Sequence, residues 1–393
     1  MSVRPPSYHP ATAWINLDRI RDNYRALRAY AGAQAVIPVL KANAYGHGAV
    51  AVARALEPLD VSMFAVAYVD EAITLRQAGI MAPLLVLTGF VPAQLSDLLR
   101  FQLTPVISTH EQVGALERAK DGCRTNLSIH VKVDTGMTRL GFSIAEIEPI
   151  IHRLKEAEGV LIEGLMTHLA SADEDQIATA RQLDDFQEAV ARFRALGVRP
   201  RLVHAANSAG MMAPRDSHTA ARPGLLLYGV APRPLSPNIA VRPALELRAR
   251  VAMVKPVAAG TFVSYGGTFV TDRESRIATI NIGYADGLPR TTRMRERGVA
   301  VRNQVALRVA GTVCMDLTML DATDTPDLVA GDEVTLLGDS PTAWDLADWA
   351  GTNAWQVLAG IGARVPRRYT LGGEIVDETL ATLGPAAGAG QAI

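Results

Sequence analysis

With 393 residues, 49 % hydrophobic and 20 % charged, a formal net charge of −1 and a pI near 6.7, the chain has room for about two domains and offers no electrostatic case for nucleic acid or an acidic membrane surface. Its two cysteines, Cys123 and Cys314, form neither a disulfide framework nor a zinc-ligand pattern, and no run reaches the ~18 apolar residues of a membrane span. A small-molecule substrate and a cytoplasmic location are therefore expected, and the N-terminal MSVRPPSYHPATAW has no apolar core that would direct export.

Trp14 to Leu17 reads as a strand, after which Asp18 caps a helix running toward Tyr30. Apolar runs then predict buried strands at 36–40, 63–67, 84–87, 104–107, 127–134, 160–167, 201–206 and 224–228. Helical patterns lie between them at 49–56, 69–78, 110–119, 144–156 and 173–196. Strands alternating with helices predict an α/β architecture, a (β/α)8 barrel over residues 1–236, rather than an open doubly wound sheet. Residues 231–243, APRPLSPNIAVRP, hold four prolines and no periodicity, which suits a linker. Beyond it the period becomes two, at 245–252, 276–282, 305–309 and 333–337, predicting a mainly β domain over 237–383. The final GPAAGAGQAI, residues 384–393, reads as a flexible tail.

Unusual residues cluster just after the predicted barrel strands, where βα loops build active sites. The first strand ends in IPVLKANAYGHG, so Lys41 sits at an apolar strand mouth, where desolvation lowers an ammonium pKa toward the range in which a free amine attacks a carbonyl. Ala42 and Ala44 leave space beside it, Tyr45 offers a hydroxyl, and Gly46 and Gly48 bracket His47. Lys132, Asp134 and Arg139 end the fifth strand, His168 the sixth, and His204, Asn207 and Ser208 the seventh. Backbone N–H groups beside Ser208 and Gly224 suit a phosphate, with Arg222 adjoining. Read without these neighbours, the same residues are a rim lysine and ordinary turn punctuation. Together they point to pyridoxal 5'-phosphate, held by Lys41 as an internal aldimine.

At this point the chain resembles the alanine racemases, the barrel-type (fold type III) pyridoxal-phosphate enzymes. The likeness runs nearly the whole length, through LKANAYGHG, KVDTGMTRLGF, THLASAD, HAANSAG, RPGLLLYG, VSYGGTF, IGYADGLPR, GTVCMD and RVPR. It implies an isomerase that interconverts L- and D-alanine by two bases, supplying D-alanine for peptidoglycan. Lys41 would carry the cofactor and act as one base, and Tyr265 of the other subunit as the second. Racemisation requires such a pair, because the proton leaves one face of a planar carbanion and returns to the other. The resemblance further implies cofactor contacts from Tyr45, His168, His204, Asn207, Ser208, Arg222, Gly224 and Leu225. Arg222 would face the pyridine nitrogen and, being unable to surrender its proton, leave that nitrogen unprotonated. Lys132 matches a position that is often carbamylated, orienting Arg139 toward the substrate carboxylate. Met315 and Asp316 would line the substrate side, and Tyr284, Asp286 and Arg290 the entrance, both from the partner of an obligate head-to-tail homodimer. No metal is implied.

Two departures bear on specificity. Ala363 stands where some members carry a tyrosine before the RVPR arginine, and Thr312 stands where the family has an entrance arginine before VCMD. Both leave room for a broader amino-acid racemase, for example one that also takes serine. Rival readings are a barrel decarboxylase, a pyridoxal-phosphate-binding homeostasis protein, which would have no use for Tyr265, and a metal-dependent barrel hydrolase. The last needs a His-x-His on the first strand, and this strand ends in Lys41.

Overall fold

The computed structural model describes residues 9–118, 127–212, 218–234 and 239–380; Cys123 and the predicted tail at 384–393 lie outside these. The chain forms two compact units, one of residues 19–45 and 49–242, the other of residues 1–18, 46–48 and 243–393.

The first unit is the predicted barrel. Strands β2 (Ala35–Val36), β3 (Phe64–Val66), β4 (Leu84–Val86), β5 (Thr104–Ile107), β6 (Leu127–Lys132), β7 (Val160–Met166), β8 (Leu202–His204) and β9 (Ala220–Ala221) are numbered after β1 (Ala11–Asn16) of the other unit. β3 to β8 pair in parallel, in chain order, and β2 pairs in parallel with β9. The ring closes where Leu40 N–H donates to Ala65 O at 2.7 Å and Arg222 N–H donates to Ala206 O at 2.9 Å. Every residue of β3, β4 and β5 is buried, as strands flanked by the barrel interior and by helices must be. The helix Ile147–Glu156 shows the complementary pattern, burying Ile147, Ile150, Ile151 and Leu154 along one stripe.

The eighth strand differs from its prediction. Residues 225–228 form a 3-10 turn, and the strand is the two-residue Ala220–Ala221. Leu225, Leu226, Leu227 and Tyr228 are all buried, so their unbroken apolar run carries no period that would separate strand from helix.

Lys41 begins an unusual turn. Ala42, Asn43, Ala44 and Tyr45 have φ between 52° and 55°, a turn of left-handed helix built from non-glycine residues. Such geometry costs about 1–2 kcal/mol per residue. Glu71, in the first turn of the helix Val69–Gln77, opposes that cost: one carboxylate oxygen accepts from Ala42 N–H at 2.7 Å, the other from Ala67 N–H at 2.7 Å and Tyr68 N–H at 3.2 Å. Asn43 Oδ1 accepts from Ala49 N–H at 2.8 Å and ties the turn to the next helix, Ala49–Leu56.

The second unit is the predicted β domain, with one addition. Its strands are β10 (Leu245–Val257), β11 (Phe262–Val263), β12 (Phe269–Val270), β13 (Ser275–Ile280), β14 (Val299–Arg302), β15 (Val305–Val309), β16 (Thr318–Asp321), β17 (Glu333–Leu337), β18 (Pro366–Leu371) and β19 (Glu374–Leu380). The long β10 pairs with β17 along its first half and, past a register shift near Val251, with β13, so that β10-β17-β14-β15-β16-β13 closes on itself. β1 lies antiparallel to β10 and parallel to β18. The N-terminal strand thus belongs to the sheet unit and not to residues 1–236 as a block, and the unit boundary falls at 242/243. Ala11, Ala13 and Ile15 are fully buried alternate residues, a pattern that any half-buried sheet would accept. Arg367, 2 % exposed, crosslinks this unit through carbonyls, donating to Gly362 and Val365 at 2.7 Å, Ile361 at 2.8 Å and Gly46 at 3.2 Å.

Because the Glu71 carboxylate accepts three backbone N–H groups, Glu71→Gln must turn an amide NH2 against at least one of them. The expected loss is about 1–3 kcal/mol in urea unfolding, with faster hydrogen exchange at the Ala42 amide. Unchanged stability and unchanged exchange would show that the carboxylate does not hold the turn.

Candidate active site

The barrel unit gathers one group of the predicted residues at the strand C-termini. Lys41 has its pKa lowered by burial and by Arg139 and Arg222, with Glu71 opposing. Lys132, 4 % exposed at the end of β6, is pushed down to about 8 by burial and by Arg139, Arg222 and Lys41, against Asp134. Asp134 Oδ1 accepts from Gly136 and Thr138 N–H, both at 3.0 Å, shaping the loop that presents the exposed Arg139.

Arg222, 4 % exposed, donates to three backbone carbonyls. Its Nη1 donates to His204 O at 2.8 Å, and its Nη2 to Thr167 O at 2.8 Å and Ala205 O at 3.0 Å. Nη1 also lies 2.5 Å from His204 Nδ1, and Nη2 lies 3.4 Å from His168 Nδ1. A guanidinium only donates, so His204 Nδ1 accepts and its Nε2 carries the proton, which it gives to His130 Nδ1 at 2.8 Å. Arg222 therefore sets the tautomer of two histidines in succession. Burial, then Arg222, lowers the pKa of both, His130 to about 3, so both stay neutral. His168 is lowered likewise, by burial and then by Arg222, Arg139, Lys132 and Lys41. Gln182 fixes the segment after β7, accepting from Ala170 N–H at 2.8 Å and donating to His168 O at 3.1 Å.

Tyr45, Asn207, Ser208, Gly224 and Leu225 form an adjoining wall. Ser208 Oγ accepts from Gly224 N–H at 3.0 Å and Leu226 N–H at 3.3 Å, and Asn207 Oδ1 accepts from Gly210 N–H at 2.9 Å. Leu225 is fully buried. The Tyr45 hydroxyl lies where a Cβ on Gly224 would stand, so glycine is required for the approach. Tyr45 packs its ring 5.0 Å from that of Tyr228, and burial raises its pKa.

The sheet unit holds the rest. Tyr265, 69 % exposed, adjoins a cleft of about 420 Å³ with Ser264, Cys314, Met315, Asp316 and Leu317. The GYAD and VCMD segments are zipped together, with Tyr284 N–H donating to Cys314 O and Ala285 N–H to Met315 O, both at 3.0 Å. This brings Tyr284, Met315 and Asp316 side by side, while Arg290 stands exposed farther along its turn. Asp286, read from the sequence as an entrance residue, is 1 % exposed. Burial would raise its pKa, but hydrogen bonds from His9 and Arg364 and from Gly283 N–H hold it at about 2. Arg364 bridges Asp286 and Asp316, each at 2.6 Å.

Several of these residues escaped the sequence reading. Glu71 and Gln182 look like ordinary helix residues there. His130 carried a usable signal, since in a strand it shares a face with Lys132 two positions on.

The donor set fits an anionic aromatic cofactor. Lys41, Lys132, Arg139 and Arg222 act on one another with Glu71 and Asp134 as opposing charges, an excess of positive charge suited to a phosphate ester. A desolvated amine stands beside it, and the Gly224 approach leaves backbone rather than side chain at the wall.

Residues 15–232 match the family model for the alanine racemase N-terminal domain, and residues 244–369 that for the C-terminal domain. An alanine racemase of Carboxydothermus hydrogenoformans is 41 % identical over 370 residues, covering 92 % of this chain and 99 % of the relative. The solved alanine racemase of Clostridium difficile 630 superposes with a TM-score of 0.90 at 33 % identity, covering 96 % of this chain and all of that one. That of Bartonella henselae, described with covalently bound pyridoxal phosphate, gives a TM-score of 0.83 at 29 % identity, covering 93 % of this chain and 100 % of that one. The chain belongs to the alanine racemase family of pyridoxal-phosphate-dependent isomerases.

Proposed function

We propose that this protein interconverts L- and D-alanine in the cytoplasm, supplying D-alanine for peptidoglycan, and that its working form is a head-to-tail homodimer. The observation that carries the reading is the desolvated Lys41 among cations at the barrel mouth. Pyridoxal 5'-phosphate, when bound, supplies the electron sink that makes an amino acid's α-proton removable. Lys41 would hold the cofactor, with Tyr45, Asn207, Ser208, Gly224 and Leu225 toward its phosphate. Arg222, a permanent donor, would meet its ring nitrogen without yielding a proton, alongside His168 and His204. Arg139 would bind the substrate carboxylate.

Two bases share the proton. The Lys41 Nζ, its ammonium form disfavoured by burial and by Arg139, takes or returns it on one face. Tyr265 Oη of a second copy serves the other face, flanked by Met315, Asp316, Tyr284 and Arg290 of that copy. The strong exposure of Tyr265, Met315 and Tyr284 supports an outward-facing role. Asp286 would act through Arg364, which it anchors.

Lys132 is poised for carbamylation. With its pKa near 8, a usable fraction is neutral at physiological pH, and the amine can attack carbon dioxide, forming the N–C bond and releasing one proton. The product is an anion where a cation stood, which relieves repulsion with Arg139, Arg222 and Lys41.

Three outcomes are expected. Purified protein incubated with L-alanine in deuterated water yields α-deuterated D-alanine and shows an absorption band at the visible edge; absence of the band removes the central claim. Mixing inactive Lys41→Ala and Tyr265→Phe chains restores activity, up to about a quarter of wild type after random re-pairing of dimers, because each mixed dimer rebuilds one whole site. No recovery would place both bases in one chain. With 13C-labelled bicarbonate, NMR shows a carbamate carbon that is missing in Lys132→Arg; at fixed dissolved carbon dioxide its occupancy rises as pH climbs through about 8, where the amine loses its proton.

A further inference from the structure

Ser264, immediately before Tyr265, has φ 66° and ψ −178°. That backbone region is essentially reserved for glycine, and a serine there costs about 1–3 kcal/mol, so its surroundings must impose it. The chain then turns through Gly266 and Gly267, with Gly267 N–H returning to Ser264 O at 3.2 Å, and Tyr265 leaves the bend exposed.

The imposing element is the segment before VCMD. Ser264 Oγ donates to Thr312 O at 2.5 Å, and Thr312 Oγ1 donates to Tyr265 O at 3.2 Å, lying also 3.4 Å from Thr268 Oγ1. Thr312 thus grips the residue before the bend with its carbonyl and Tyr265 itself with its hydroxyl. Gly311 lets the two segments close, since a Cβ there would stand 2.7 Å from Val263 O and 2.8 Å from Ser264 Cβ. The carbonyl arm is open to any residue, but the hydroxyl arm requires an oxygen bonded to Cβ, which serine and threonine have and arginine lacks. Thr312 is therefore more than an entrance arginine removed.

We propose that Thr312 is a positioning residue for Tyr265, its carbonyl and hydroxyl holding the strained Ser264–Tyr265 bend so that the phenol stands at a fixed place. The inference rests on Tyr265 being the second base. Proton transfer needs the heavy atoms within about 2.6–3.2 Å, so a slack bend lowers turnover while leaving substrate binding nearly intact.

The test compares Thr312→Val, Thr312→Ser, Ser264→Gly, Tyr265→Phe and the two doubles, Thr312→Val and Ser264→Gly each with Tyr265→Phe. It reads kcat and KM in both directions, together with amide hydrogen exchange at 265–267 in the cofactor-free protein. Thr312→Val is expected to lower kcat about tenfold, a fraction of the ~100-fold that a 1 Å misplacement costs, with KM little changed and Gly267 exchange faster. Thr312→Ser restores both. Ser264→Gly, which removes the other arm and relieves the backbone, gives the same pattern and guards against a misfolded Thr312 variant. In the Tyr265→Phe background neither change lowers kcat further. Wild-type kcat and exchange in Thr312→Val beside a severely slowed Tyr265→Phe overturn the role of Thr312 alone, as does a full multiplicative loss in the residual kcat of the doubles. Full activity in Tyr265→Phe overturns the second-base reading and this inference with it.

Discussion

Lys41, Lys132, Arg139 and Arg222 converge on one mouth of the barrel, and their mutual repulsion is the constraint around which that site is organised. Two unit charges 4 Å apart repel by about 4 kcal/mol at an effective dielectric of 20, so four cations persist only if some lose protons, some are hydrogen-bonded, and an anion is welcome. Each response is visible. The two lysines have pKa values lowered first by burial and further by the neighbouring cations, and Arg222, which cannot deprotonate, donates to three backbone carbonyls. Phosphate, substrate carboxylate and a Lys132 carbamate would meet the same need, which makes the proposed cofactor, substrate and modification three answers to one electrostatic problem.

Burial and Arg222 together keep the nearby histidines from adding to that problem. The Arg222 donors force His204 to accept at Nδ1, and through His204 they leave His130 with its own Nε2 proton, buried and without a hydrogen-bond partner among the described residues. Both rings stay neutral because burial disfavours their charged forms and because charging them would add cations beside a guanidinium. The histidines therefore orient the arginine without titrating near neutrality.

Backbone strain adjoins both proposed bases. Lys41 opens a left-handed turn held by Glu71, and Tyr265 follows a serine in glycine's territory held by Thr312. In each case a residue of another segment supplies the bonds, Glu71 through its carboxylate and Thr312 through its carbonyl and its hydroxyl. Rigid placement of a lysine and a tyrosine, both long side chains, begins with a backbone that has nowhere else to go.

Much of this was legible in the sequence. The alternation of apolar runs with helical patterns determined the barrel, because buried parallel strands need unbroken apolar stretches, and the switch to a period of two announced the β domain. Lys41 at a strand mouth, and the chain of motifs from LKANAYGHG to RVPR, determined the chemistry to look for. Tertiary structure decided what no local pattern encodes. Strand pairing put β1 with β10 and β18, since Ala11, Ala13 and Ile15 would suit any sheet. Packing made a 3-10 turn of Leu225–Tyr228, since an apolar run buried on every side has no period. Burial and a distant partner made Asp286 an anchor for Arg364. Glu71 and Thr312 acquired their roles from hydrogen bonds to backbone 29 and 47 residues away, and a side chain's nature does not say which distant amide or carbonyl it will find.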